Sequence, residues 1–241
     1  MKHINTFLYS VALQCRLDIR SKSLLVTCYA VPLLFFLLMG GIFTSVMPEM
    51  KETLIPSMIV MGISMGAFIG LPPSLIETYG SEIKKSYKAN GVPLFSGIAA
   101  MFLSAFIHLM IMCCIILFLA PVLFNAALPS DFPSFFLSLA IYTASCLGIG
   151  SVLGLFVKNQ AKMTMISQLV FLPSIMLSGI MFPLTLLPKA LSLTGKIFPA
   201  FWGYLLMQDG GLQFANLIYL LLLFFAALLL CGIKTHTMKY F

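Results

Sequence analysis

The sequence predicts an all-α integral membrane protein with six transmembrane helices, and three observations carry that prediction. Of its 241 residues, 61% are hydrophobic and only 9% charged, whereas soluble domains have about a quarter of their residues charged. The mean hydropathy is +1.06. Six apolar stretches, each near the roughly 20 residues that a span requires, recur along the chain, and the positive residues gather in alternate connections. This composition excludes a soluble enzyme, a nucleic-acid-binding domain, a disordered chain and a secreted disulfide scaffold.

Residues 1–23 precede the spans. Ile4, Phe7, Leu8, Val11, Ala12 and Cys15 recur at helical spacing on one face, while Asn5, Ser10, Gln14, Asp18 and Arg20 lie mostly elsewhere. That pattern predicts an amphipathic helix lying in the membrane interface; an ordinary basic anchor is the alternative. No continuous apolar core marks a cleavable signal peptide. The spans follow at 24–46, 54–76, 94–124, 134–157, 164–182 and 212–233. The third is longer than a straight span needs, which predicts tilt or extension into the cytosol.

The charges set the orientation. Lys2, Arg16, Arg20 and Lys22, then Lys84, Lys85 and Lys88, then Lys158 and Lys162, and finally Lys234 and Lys239 fall on one side. Only Lys51, Lys189 and Lys196 fall on the other, so eleven of the fourteen positive residues share the side that positive charge marks as cytoplasmic. Both termini are expected there.

Two connections stand out. Residues 77–93, ETYGSEIKKSYKANGVP, form the most polar stretch, lying between Pro72-Pro73 and the turn signal Asn90-Gly91 with Pro93. Ser81 can cap two turns of helix there, exposed to a soluble partner; a solvated loop is the alternative. Residues 183–211 are too apolar for a solvated loop, yet Pro183, Pro188, Gly195 and Pro199 interrupt them. This predicts two short helices dipping into the membrane from outside, a form tolerated where backbone is buried in protein or lines a cavity. Trp202 and Tyr204 would sit at the outer interface. A surface-lying loop anchoring the last span is the alternative.

The chemistry is sparse. No Asp or Glu lies inside the six stretches, although coupled carriers generally need such groups. His108 is the usual kind of ionisable residue at membrane depth, either hydrogen-bonded as structure or functional; Gln168 reads as interhelical glue or as a functional residue. No phosphate-binding loop, Ser-His-Asp set, His-Glu-x-x-His or zinc spacing is present, so no catalytic residue and no metal ligand is assigned. The cysteines Cys15, Cys28, Cys113, Cys114, Cys146 and Cys231 form no framework. Gly62, Gly66 and Gly70, with Gly150 and Gly154, are spaced for close helix packing, within the chain or between two copies. The 16 methionines and 22 phenylalanines would make any lumen apolar and adaptable, suited to amphipathic or hydrophobic cargo if they face a pathway rather than lipid.

This order of elements resembles the permease subunits of type-2 ABC exporters over the whole chain. The most specific match is SGIMFPLTLLPKALSLTGKIFP, in which Gly179, Phe182, Pro183, Leu187, Pro188 and Pro199 fill the family's pattern. Glu77, Glu82, Lys84, Lys85, Lys88, Val92 and Pro93 resemble its polar cytoplasmic segment, although Glu77-Thr78-Tyr79-Gly80-Ser81-Glu82 is a looser version of the usual Glu-Arg-Glu cluster followed by Gly-Thr.

The resemblance implies a six-span permease domain over 24–241, with 1–23 as an elbow helix and 77–93 as a coupling helix seated in a separate cytoplasmic ABC ATPase. The hairpin at 183–211 would be an extracellular gate. It further implies pairing with a second permease, identical or related, in the plasma membrane, with ATP and Mg held by the partner ATPase. The cargo would be a drug, lipid or peptide. The alternatives are a non-transporting scaffold or sensor partner, and a secondary carrier using His108.

Overall fold

The computed structural model describes residues 2–80, 93–208 and 213–240, and the regular structure of these residues is entirely helical. Helix α1 (Lys2–Arg20) breaks at Ser21, whose hydroxyl caps the next helix by accepting from the Leu24 amide. Then come α2 (Lys22–Val46) and α3 (Leu54–Tyr79), joined through a single 3-10 turn at Pro48–Lys51. Helix α4 (Leu94–Phe124) starts directly after Pro93 and stops at Asn125, whose left-handed φ of 50° ends the helix as an αL cap does. Asp131 caps α5 (Phe132–Phe156), accepting from the Ser134 amide at 3.4 Å and its hydroxyl at 2.5 Å. Asn159 caps α6 (Gln160–Met176) in the same way, through the Lys162 amide at 3.1 Å. Helices α7 (Lys189–Gly195) and α8 (Pro199–Gln208) are short, and α9 (Phe214–Tyr240) closes the chain.

By length and composition, α2, α3, α4, α5 and α9 can each cross a membrane, making this a multi-pass membrane protein. At 31 residues, α4 is about 46 Å long, well over the roughly 30 Å hydrocarbon core. The expected span at 164–182 differs. Its helix, α6, starts earlier, has 17 residues and ends at Met176 rather than Phe182. Pro173 lies within its last turn, and the chain then reverses at Gly179, whose φ of 88° only glycine adopts freely. A helix of that length spans about 26 Å.

The helices are arranged around α3. In its most apolar window 89% of α3 is buried, against 22% for α2 and for α9. Gly62 and Gly66 face Met112 and Leu109 of α4, while Gly70 faces Cys28 and Thr27 of α2. Two π turns, Val26–Ala30 in α2 and Gly66–Gly70 in α3, widen the helices where they meet. Helix α5 crosses α3 closely enough that a Cβ on Gly150 would lie 2.1 Å from the Ala67 carbonyl oxygen, and one on Gly154 2.8 Å from Leu75. All five glycines expected to mediate close packing therefore lie against other helices of the same chain. At mid-height Tyr142 of α5, fully buried, meets Ser64 of α3 at 2.5 Å and donates to the Val60 carbonyl at 3.3 Å.

The apolar face of α1 expected to meet the membrane interface is divided in the structure, with Leu8 and Ala12 outside and Val11 and Cys15 toward the bundle. Leu8 is 58% exposed and Ala12 is also outside, together with Leu13, Leu17 and Ile19. Toward the bundle it presents Val11, Gln14, Cys15 and Asp18, with Asp18 buried. The burial of Asp18 has a physical reason. In hydrocarbon it is polar groups that must be shielded by protein, whereas leucines are at home in the solvent. The same rule leaves Leu38, Phe118, Leu222 and Leu229 of the long helices on the outside.

Candidate functional site

A polar recess lies at each end of α3, and the packed middle of the helix separates them. At the end where α1 meets α2, a recess of about 420 Å³ is lined by Ser21, Ser23, Thr27, Ser74, Glu77 and Gln160, with Gly70 and Pro73 in its wall. Glu77 is exposed there. Two residues further, the Tyr79 hydroxyl donates to the Leu94 carbonyl at 2.9 Å, tying the end of α3 to the start of α4. The two helices flanking the lysine-rich connection are thus clamped together.

Of the residues expected to couple to a partner, Glu77 and Pro93 are the described ones. Glu82, Lys84, Lys85, Lys88 and Val92, and the helix expected from Ser81 to Ala89, lie outside the described residues.

The opposite end carries the proline-rich hairpin and a second recess, of about 400 Å³. Its lining includes Glu52, Asp131, Ser134 and Gln208. Two short helices occupy 189–208, as the breaks at Pro188, Gly195 and Pro199 predicted; 209–211 lie outside the described residues. Helix α8 is largely buried, through Pro199, Ala200, Phe201, Gly203, Tyr204, Leu206 and Met207, and packs on α3, α5 and α9. The Pro199 that the motif singled out is inside this contact, while Phe182 and Pro188 are exposed and Pro183 and Leu187 lie between. At Gly179, an added Cβ would meet Leu184 at 2.8 Å.

Trp202 fastens the hairpin to α9. Its indole donates to the Lys196 carbonyl at 2.7 Å and its ring lies 5.0 Å from that of Tyr219, whose hydroxyl donates to the Ile197 carbonyl at 2.6 Å. Trp202 is the single tryptophan in the chain, so its emission reports this contact alone. Tyr219→Ala is expected to weaken hairpin docking by about 2 kcal/mol, from one aromatic pair and one hydrogen bond. A red-shifted Trp202 emission with readier quenching by an aqueous quencher would register it; an unchanged spectrum would contradict it.

Between the two ends, His108 is buried and its Nδ1 lies 2.8 Å from the Tyr29 hydroxyl. Gln168, on α6, is exposed, in a surface stripe with Met165, Leu169, Leu172 and Met176. Among the described residues, no hydrogen bond joins it to another helix. Among the described residues, no cluster of three or more His, Cys, Asp or Glu could hold a metal, and all six cysteines are free.

Several residues that shape the site escaped the sequence reading. Gly195 packs so closely that a Cβ would come within 2.2 Å of the Leu177 carbonyl oxygen, and Gly203 lies against the Tyr142 ring. Read in sequence, the first is a helix breaker and the second an unremarked small residue. Asp18 was legible as a polar residue on an amphipathic helix, but which way that helix faces was not.

Comparison with known proteins adds one match. The family model described as ABC-2 type transporter covers residues 6–211. No curated protein matches the chain.

Proposed function

This chain belongs to the ABC-2 type transporter family, and from that premise we propose that it is the permease subunit of an ATP-driven exporter, docked on a separate cytoplasmic ATPase and paired with a second permease. The observation that carries the coupling is the construction of α3. It is the most buried of the long helices, it runs from the hairpin helix α8 to the lysine-rich connection, and its last turn is clamped to α4 through Tyr79. A force applied to residues 77–93 would move α3 and α4 together, because packed helices transmit displacement rather than absorb it. Residues 77–93 are the coupling helix in this reading, and 1–23 the elbow.

At the far end of α3 the same displacement reaches α8, so the hairpin at 183–211 serves as the gate. ATP and Mg belong to the partner, whose hydrolysis supplies the energy. The protein sits in the plasma membrane with both termini in the cytoplasm, the side on which the basic residues concentrate.

The cargo is amphipathic or hydrophobic, a drug, lipid or peptide. The exposed stripe of α6 supports this. An amide such as Gln168 is costly against lipid tails, so this face belongs to the cargo path or to the second permease, not to open bilayer.

The test uses the purified complex with its ATPase, reconstituted in vesicles. Changing Lys84, Lys85 and Lys88 together to Glu reverses three charges on the connection and should reduce cargo-stimulated ATP hydrolysis at least tenfold. Unchanged assembly and hydrolysis would overturn the coupling assignment. Stable assembly with no stimulation by any amphipathic compound in a panel would favour a non-transporting scaffold.

A further inference from the structure

The recess of about 420 Å³ where α1 meets α2 has a charge pattern that the transport reading does not use. Three helix ends enclose it: the first two turns of α2, the last turns of α3 and the first residue of α6. Its polar lining is Ser21, Ser23, Thr27, Ser74, Glu77 and Gln160, and the apolar part includes Leu24, Ile69 and Ile76. Among the described residues Glu77 is the one charged member of that lining, and no hydrogen bond or ion pair occupies its carboxylate. Positive charge stands outside. Lys22, between Ser21 and Ser23 in the chain, is exposed, as are Lys158 and Lys162 on either side of Gln160, and none of the three lines the recess.

A negative interior within a positive rim is complementary to a zwitterion that enters by its cationic end. The ends of the spanning helices α2 and α3 set this recess at the level of the lipid headgroups, where such zwitterions are the surrounding solvent. We propose that the recess holds the headgroup of an ethanolamine phospholipid, with its ammonium inside against Glu77 and its phosphate at the basic rim.

The acceptors suit an ammonium. It carries three N–H donors and no acceptor, and in a half-apolar recess each donor needs a partner. The Glu77 carboxylate supplies charge, and the hydroxyls of Ser23 and Ser74 supply neutral oxygens. The Thr27 hydroxyl donates to the Ser23 carbonyl at 2.8 Å and the Ser21 hydroxyl accepts from the Leu24 amide at 3.4 Å, so each of these oxygens keeps a lone pair as well.

The same chemistry disfavours the other common headgroups. A trimethylated ammonium has no N–H to donate, and proteins recognise it through aromatic faces; no aromatic side chain lines this recess among the described residues. A glycerol headgroup has no cation for Glu77 and leaves that carboxylate facing a net negative lipid. Leu24, Ile69 and Ile76 offer apolar surface to the carbon atoms that join the ammonium to the rest of the lipid.

The test uses the full chain in detergent micelles without ATPase or cargo, so its failure and that of the transport reading are distinguishable. Phosphatidylethanolamine, phosphatidylcholine and phosphatidylglycerol with the same acyl chains are added in equal amounts, and native mass spectrometry counts which lipid the protein retains. The ethanolamine lipid should be retained about tenfold or more over the choline lipid, as expected when hydrogen bonds to a charged group distinguish them. Glu77→Gln should erase that preference; Glu77 is exposed, and unchanged Trp202 emission would verify the fold. Equal retention of the two lipids by the wild-type chain, tighter retention of phosphatidylglycerol, or a preference that survives Glu77→Gln would overturn the site. Should Glu77→Gln fail to fold, Ser74→Leu decides. Its larger side chain fills the recess and should reduce retention of the ethanolamine lipid severalfold, and unchanged retention would refute the proposal as firmly.

Discussion

Replacing Gly150 by alanine is expected to leave the protein unable to hold its native helix packing. The added methyl would come 2.1 Å from the Ala67 carbonyl oxygen, and backbone cannot rotate away as a flexible side chain can. Either α5 or the π turn Gly66–Gly70 of α3 must shift, and that turn also lies against α2 and α6. Overpacking ordinarily costs about 1–3 kcal/mol when side chains can yield; here the expected cost exceeds about 3 kcal/mol, a large share of the 5–15 kcal/mol typical of a folded domain.

Gly41 and Gly232 provide the comparison, because a Cβ at either meets nothing within 4 Å. Alanine there should be neutral to within about 0.5 kcal/mol, or slightly stabilising through its better helix propensity. Thermal melting of the detergent-solubilised chain would separate them, with Gly150→Ala lowered by roughly 6–12 °C and the two controls unmoved. Equal melting of all three would contradict the close crossing of α3 and α5.

Tyr142→Ala is expected to be as damaging, by a different route. The side chain is wholly buried, its hydroxyl joins Ser64 and Val60 of α3, and its ring fills the space beside Gly203 of α8. Removing it opens a cavity at the junction of three helices, at a cost of about 3–5 kcal/mol for an aromatic residue, and orphans the Ser64 hydroxyl. Tyr142→Phe keeps the packing and loses only the hydrogen bond, about 1 kcal/mol, within the range found for interhelical bonds in membranes. Adding Ser64→Ala to Tyr142→Phe should recover part of that loss, since deleting both partners removes the unsatisfied group. With the wild type and Ser64→Ala alone, these two proteins complete a double-mutant cycle of four melting temperatures. A cycle with no coupling energy would show that the bond contributes nothing.

The long helices were legible because hydrophobic length and charge position are one-dimensional properties. Stretches 24–46, 54–76 and 94–124 reappear as α2, α3 and α4 with boundaries close to those expected. Caps at Asp131 and Asn159 fall where a side-chain oxygen can reach the first free amides. Stretch 164–182 was less legible, because apolar composition continues past Met176 while Pro173 and the left-handed turn at Gly179 end the helix. In the hairpin, Pro188, Gly195 and Pro199 marked the breaks, but not that Gly195 must admit the Leu177 backbone.

Faces were the hardest to read. The 3.6-residue period fixes which side chains share a side of α1, yet it is silent on whether that side meets lipid or protein. Asp18 is the instructive case, since a soluble pattern sends it outward and a membrane pattern sends it in.

By itself, the sequence determined that this chain lives in a membrane, roughly where its long apolar helices lie and where its proline breaks fall. All of these follow from transfer free energies and backbone preferences that each residue carries with it. Only the tertiary structure decided that α3 is the buried axis, that Gly150 meets Ala67, that Tyr142 closes the junction of α3, α5 and α8, and that Asp18 of α1 meets Ser104 of α4. Those depend on the rotation and approach of whole helices, which are set by how all the surfaces fit at once.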